Sequence, residues 1–214
     1  MKVSTFTLVC VAVAASAVPV SAAEKTILRA STEEPTPGAV RPSPSLAQAA
    51  LRAIDKDDIK LLDGCLAERG LKRGHHASLL RVVRIHNQAG RTLWFVRPAL
   101  EPYCSALYGA HLFRYFLIEE LNGPSKPQYR IVFQNAGDAF AVYPRISHGL
   151  NDIEPAGCIA SECRSARLSF DGNHYRPIRC EVTTWDKNGR EISRRRQCES
   201  DEGSDIQSSG FVKE

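Results

Sequence analysis

Residues 79–97 read LLRVVRIHNQAGRTLWFVR. Two runs rich in Val, Ile, Leu and aromatic residues flank Asn87-Gln-Ala-Gly90, and a short polar break ending in Gly between β-formers is a hairpin signature. The pattern recurs downstream. HLFRYFLIEE (111–120) and YRIVFQ (129–134) flank a Gly/Pro-rich stretch from Asn122 to Lys126, and AFAVY (139–143), ARLSF (166–170), HYRPIRCEVTTW (174–185) and EISRRRQ (191–197) follow. Most of the spacers are too short for parallel crossovers, which take a dozen or more residues, so antiparallel pairing of consecutive strands is expected. The expected fold is mainly β: an antiparallel sheet or meander of about eight strands, disulfide-stabilised, with a short N-terminal helical section.

That section is LAQAALRAIDKDDIKLLDGCL, residues 46–66. Leu46, Ala50 and Ile54, then Ile59, Leu62 and Leu66, fall at helical spacing, with Ser45 as N-cap, which predicts one bent helix or two short ones. Upstream, residues 23–45 hold Pro35, Pro37, Pro42 and Pro44 among polar residues and read as a disordered or extended linker. The domain spans 46–199, helical over 46–70 and β over 78–199; residues 200–214 read as a flexible tail. A chain of this length suits one domain with a core of its own.

The first 22 residues place the protein. MKVSTFTLVCVAVAASAVPVSAAEK opens with Lys2, continues with an apolar run to about Ala17, and ends in small residues after Pro19, the order of a secretory signal peptide. The run is short for a bilayer span, so no membrane span is expected after cleavage. Cys10 lies within the run behind Val9 and leaves with it. The remaining six cysteines are Cys65, Cys104, Cys158, Cys163, Cys180 and Cys198, an even set bound for an oxidising compartment, periplasmic or secreted. Asn188-Gly189 is a hairpin turn that brings Cys180 nearly opposite Cys198. Cys158 and Cys163 close a small loop, which leaves Cys65 with Cys104 to tie helix to sheet. Sequence alone leaves other pairings open.

Function classes narrow mostly by exclusion. The formal charge of +4 is too mild to point to nucleic acid. No C-x-x-C, H-E-x-x-H or H-x-x-x-H occurs among Cys and His, and thiols in an oxidising compartment favour disulfides over zinc, so neither metal nor cofactor is expected. No G-x-S-x-G is present, and Ser105 beside Cys104 or Ser147 beside His148 would point to opposite faces of a strand. His75-His76 reads as an exposed loop. Glu119, Glu120, Asp138, Asp152 and Asp171 could supply a carboxylate pair, but strand-end acids ordinarily cap turns or face solvent. Arg194–Arg196 reads as edge-strand protection, or more sharply as a contact for an acidic partner.

HGLNDIE (148–154) reads as a strand-connecting turn: Gly149 frees the backbone, Asn151 and Asp152 satisfy local N–H groups, and Leu150 and Ile153 are core. FDGNHY (170–175) is a second turn. GLNDI and LSFDGNHY, with YRIVFQNAGDAFAVYP upstream, together resemble exported bacterial β-rich proteins that carry a G-x-x-D-[IL] turn and a D-G-x-x-Y turn. Similar periplasmic proteins inhibit cell-wall-degrading enzymes as immunity or lysozyme-inhibitor proteins. The resemblance covers about Cys104 to Cys180, rests on turn motifs and implies no catalytic residue. GCIASEC (157–163) departs from it as a longer, cysteine-bracketed loop.

The expectation is therefore a non-catalytic binding protein for a protein partner, a cell-wall hydrolase or toxin effector, with His148, Asp152, Ile159 and Glu162 as binding residues. A hydrolase with a dispersed His111/His148/Asp152 site and an envelope accessory protein that self-associates through a sheet edge are the alternatives.

Overall fold

Alternation of apolar and polar residues at a period of two governs most of the chain, and it yields strands wherever expected. The structure, a computed structural model, describes residues 25–86, 90–109, 112–121 and 127–198. The stretch expected to be a signal peptide and the expected tail after Cys198 lie outside the described residues, as do Asn87–Ala89 and Asn122–Lys126.

Ten strands form two antiparallel sheets. β1 is Leu28–Ser31, β2 Leu80–His86, β3 Thr92–Pro98, β4 Phe113–Leu121 and β5 Gln128–Gly137. β6 is Ala139–Ser147, β7 Leu150–Ile159, β8 Glu162–Phe170, β9 Tyr175–Trp185 and β10 Glu191–Arg196. The larger sheet runs β1-β6-β7-β8-β9-β10 and the smaller β2-β3-β4-β5, so each is a meander with β1 added at one edge. Asp138 alone separates β5 of one sheet from β6 of the other. The crossing is tight: a Cβ on Gly137 would stand 2.5 Å from the Ala156 carbonyl oxygen, closer than any side chain permits. Phe95, Tyr115 and Phe133 of the small sheet meet Phe140 of the large one, Phe95 and Phe140 stacking with centroids 5.0 Å apart. This aromatic cluster is the centre of the core.

Two helices precede the sheets, α1 over Pro44–Leu51 and α2 over Lys56–Glu68. Two short helices were among the expectations, but the cap of the first is Ser43 rather than Ser45. Ser43 Oγ accepts from the Leu46 amide, and Pro44 occupies the first helical position, where a missing N–H is harmless. Leu46, Ala50, Ile54, Leu62 and Leu66 are all buried, as their spacing predicts.

Two expectations fail, each for a tertiary reason. Residues 23–45 are not a disordered linker from Lys25 onward. β1 pairs with β6, Val40 bridges Val82, and the buried Arg97 guanidinium collects the carbonyls of Ser31 (2.7 Å) and Glu34 (3.0 Å) and the Thr36 hydroxyl (3.0 Å). Arg97 also lies over the Phe113 ring, and burial lowers its pKa from the usual arginine value. A prolyl segment has few N–H groups to satisfy but keeps its carbonyls, and one arginine that donates to several of them helps β1 and the Val40 bridge to order it. Second, GCIASEC is not a loop. β7 and β8 run through both cysteines and leave only Ala160-Ser161 as the turn. The expected antiparallel fold of about eight strands is found, with ten among the described residues; β1 and β7 are the additions.

Candidate functional site

β7 carries all four residues that the sequence singles out, or lies beside them, and it divides them into two groups. His148 begins the turn before β7 and Asp152 lies near its start. Ile159 ends it, opposite Glu162 of β8. With a rise of about 3.3 Å per residue, Asp152 and Ile159 stand roughly 23 Å apart along the strand. They cannot form one site.

The Asp152 end is a buried polar junction between the sheets. His148 and Gly149 have positive φ, 48° and 84°, the geometry of a tight hairpin between β6 and β7. A Cβ on Gly149 would lie 2.8 Å from Arg91 Nη1, so close approach and conformation both require glycine there. Arg91, at the start of the small sheet's β3 hairpin strand, donates to the His148 carbonyl at 3.2 Å and pairs with Glu119. Glu119 is 3% exposed and receives Arg130 on its other oxygen at 2.6 Å. Asn151 and Asp152 are fully buried in β7 and cap no local N–H. Asn151 Nδ2 donates to the Tyr143 carbonyl, Tyr175 donates its hydroxyl to the Asn151 carbonyl, and Ser147 donates to Asp152 Oδ1 at 2.9 Å. Arg145 Nε stands 3.5 Å from Asp152 Oδ2, an ion-pair distance without a hydrogen bond. Burial, reinforced by the Asp152 carboxylate, holds the Tyr175 phenol far above its usual pKa.

The chemistry available here is limited by these partners. The His148 Nδ1–H donates to the Phe170 carbonyl at 2.9 Å, while the Ser147 hydroxyl goes directly to Asp152. An activated nucleophile needs a base between hydroxyl and acid, and in this arrangement the imidazole is turned to a carbonyl instead. His111 lies outside the described residues. The neighbouring 171–174 turn is a turn, as expected. Asp171 accepts from the amides of Asn173 and His174 and pairs with Arg176, and these contacts, the His174 amide foremost, hold its carboxyl well below the usual range. His76 is no exposed loop residue: its Nε2 lies 2.9 Å from Asp63, which also accepts from the Gly74 amide. Among the described residues no group of three or more His, Cys, Asp or Glu is placed to hold a metal ion.

The other end is a bare flange. β6 stops pairing with β7 at Ala139 opposite Ala156, so residues 157–164 project past it with β9 and β10 alongside. Register across the four strands aligns Ile159, Glu162, Thr184 and Ile192 in one row. The next row on the same face is Gly157, Arg164, Val182 and Arg194. The opposite face carries Cys158, Cys163, Thr183 and Ser193, so the bridge braces the sheet from behind. Cys158 and Cys163 are directly paired, with Cα atoms 4.0 Å apart. Ile159 is 63% exposed, and Ile192 and Trp185 are also exposed. Arg164 pairs with Glu162 at 2.7 Å, whereas Arg194 forms no ion pair among the described residues.

A second bridge, Cys180–Cys198, anchors the base of this flange. Cys180 faces Arg196 rather than Cys198, because the turn spans Asp186–Arg190 and centres on residue 188; the bridge is therefore diagonal. The expected third bridge is not formed: Cys65 and Cys104 are thiols, with Cys65 donating to the Tyr103 carbonyl. Thr184, Ile192 and Arg164 escaped the sequence reading, whereas Arg194 was singled out within Arg194–Arg196; the Asn188-Gly189 turn fixes the register that brings Thr184, Ile192 and Arg194 into place. No helix among the described residues is long and apolar enough to cross a membrane. Comparison with family models, with curated proteins and with solved structures finds no match to this chain.

Proposed function

We propose that this chain is an exported, non-catalytic binding protein that meets a protein partner through the flange of β7–β10, and that the partner is a cell-wall-degrading enzyme or toxin effector which it inhibits. The observation that carries the reading is the row Ile159–Glu162–Thr184–Ile192, which displays two exposed isoleucines on a face that no second layer covers among the described residues. Apolar side chains in that setting gain free energy on desolvation by a partner. The disulfide behind the row removes motion that binding would otherwise have to freeze, so less entropy is lost on association. Arg164 and Arg194 flank the apolar row and favour a partner with carboxylates at the rim of its surface. The two bridges suit an oxidising compartment, in keeping with a periplasmic or secreted location. The class of partner comes from the turn-motif resemblance alone.

The test is affinity capture from envelope extracts with the mature protein, read by mass spectrometry and then by inhibition of the captured enzyme. Capture of one wall hydrolase or effector is expected, lost with Ile159→Lys or Ile192→Lys and retained with His148→Ala. If His148→Ala or Asp152→Asn removed activity on wall fragments while the flange variants left it intact, the hydrolase reading would replace this one.

A further inference from the structure

Four of the described cysteines are cross-linked; the other two stand together. α2 packs against the short helical turn Ser105–Leu107 that follows β3, and this contact brings Cys65, near the end of α2, to Cys104 just before that turn. The Cys65 thiol donates to the Tyr103 carbonyl at 3.5 Å, which places its sulfur beside the backbone of the residue that precedes Cys104. Their accessibility differs sharply. Cys104 is 3% exposed, whereas Cys65 is half-buried and open to a reagent from solvent. Burial first, and the adjoining Cys65 thiol second, push the Cys104 thiol up to about 12. A thiol in that state does not start an exchange reaction.

We propose that Cys65 and Cys104 form a redox-active dithiol, with Cys65 as the attacking and Cys104 as the resolving sulfur, which a disulfide oxidant converts into a cross-link between α2 and the segment after β3. The proposal stands apart from the binding reading above. The Cys65 thiolate attacks one sulfur of the oxidant, a glutathione disulfide or a dithiol oxidase. The oxidant S–S bond breaks, a mixed disulfide forms on Cys65, and one thiolate departs with the proton that Cys65 released. Cys104 then attacks the Cys65 sulfur, its own proton passing to the second departing thiolate. Two cysteine thiols lose two electrons and two protons, and the oxidant becomes two thiols. The packing of α2 against that segment supplies the proximity that makes the second step intramolecular.

The experiment uses the full-length mature protein, incubated with oxidised glutathione, acid-quenched, denatured, alkylated with N-ethylmaleimide and mapped by peptide mass spectrometry. Cys65 and Cys104 are expected to lose alkylation and to appear as one cross-linked peptide pair, with the intact mass lower by two hydrogens; a pair already cross-linked on purification is first reduced with dithiothreitol under native conditions, and one that stays closed to the reductant would overturn the proposal. Cys104→Ser is expected to accumulate a glutathione adduct on Cys65, and Cys65→Ser to leave Cys104 alkylatable and without adduct. Both thiols remaining alkylatable in the wild-type protein after oxidation would overturn the proposal, and that measurement does not depend on any variant folding. Equal adduct formation on Cys104 in Cys65→Ser would overturn the assignment of roles.

Discussion

The two ends of β7 belong to the same strand and differ in nearly every physical respect. At the His148 end the strand is buried with its acids and amides, and Asn151 and Asp152 each find a partner in another element, Tyr143, Tyr175, Ser147 or Arg145, although Asn151 Oδ1 and Asp152 Oδ2 accept no hydrogen bond. At the Cys158 end no layer among the described residues covers the strand, apolar side chains are exposed, and a covalent bridge braces it. The difference teaches that conspicuous polar residues are not the best sign of function in this fold. Buried polar groups must be satisfied for the chain to fold at all. An exposed isoleucine row contributes little to folding, so its presence calls for another reason.

If the comparison is right, stability should reside at one end and binding at the other. The largest stability effect is expected for Glu119→Gln, which leaves Arg91 and Arg130 without their carboxylate in a buried junction. A loss of about 1.5–3 kcal/mol is expected in urea unfolding, because Arg91 and Arg130 are partly exposed and keep some solvation. Gly149→Ala comes next. The left-handed backbone and the contact with Arg91 together should remove about 1–3 kcal/mol, read as a lower midpoint with unchanged slope. A Cys158→Ser/Cys163→Ser double variant opens only a short loop and should lower stability by no more than about 2 kcal/mol, yet weaken partner capture strongly.

Ile159→Lys should sharpen the contrast most. Its unfolding free energy is expected to stay within about 0.5 kcal/mol of the parent, as for other exposed positions, while capture is lost. A large loss of stability here would break the comparison. The smallest effect concerns acid. The Asp171 carboxyl is held below its unfolded value, so its contribution is present above that unfolded value and is lost as pH falls through the folded one. A carboxyl resonance that stays in its ionised position at pH 3, where a free Asp is largely protonated, would verify this. Asp171→Asn should leave the stability of the protein at the lowest pH unchanged relative to the parent.

Eight strands were legible because each shows period-two alternation between turn residues, a signal that needs no knowledge of neighbours. β1 and β7 were not. β1 is four residues long and acquires its strand character from pairing with β6. β7 contains Asn151, Asp152, Pro155 and Gly157, residues that locally favour turns, and it is a strand because β6 and β8 pair along it on either side. The candidate surface was half legible. Ile159 and Glu162 were singled out, but as parts of a loop, and their companions Thr184 and Ile192 come from other strands. His148 and Asp152 looked suggestive because sequence reveals a residue's chemistry and hides what satisfies it.

By itself, then, the sequence determined the antiparallel β class, the helical spacing of 46–66 and the cysteine pairs close to a turn, since each depends on interactions within a few residues or across one hairpin. Tertiary structure alone decided that Arg97 would order the prolyl segment, that Glu119 would be buried between two arginines, and that one end of β7 would be covered and the other left bare. Those outcomes depend on which sheet edge stops where, and no local run of residues encodes that.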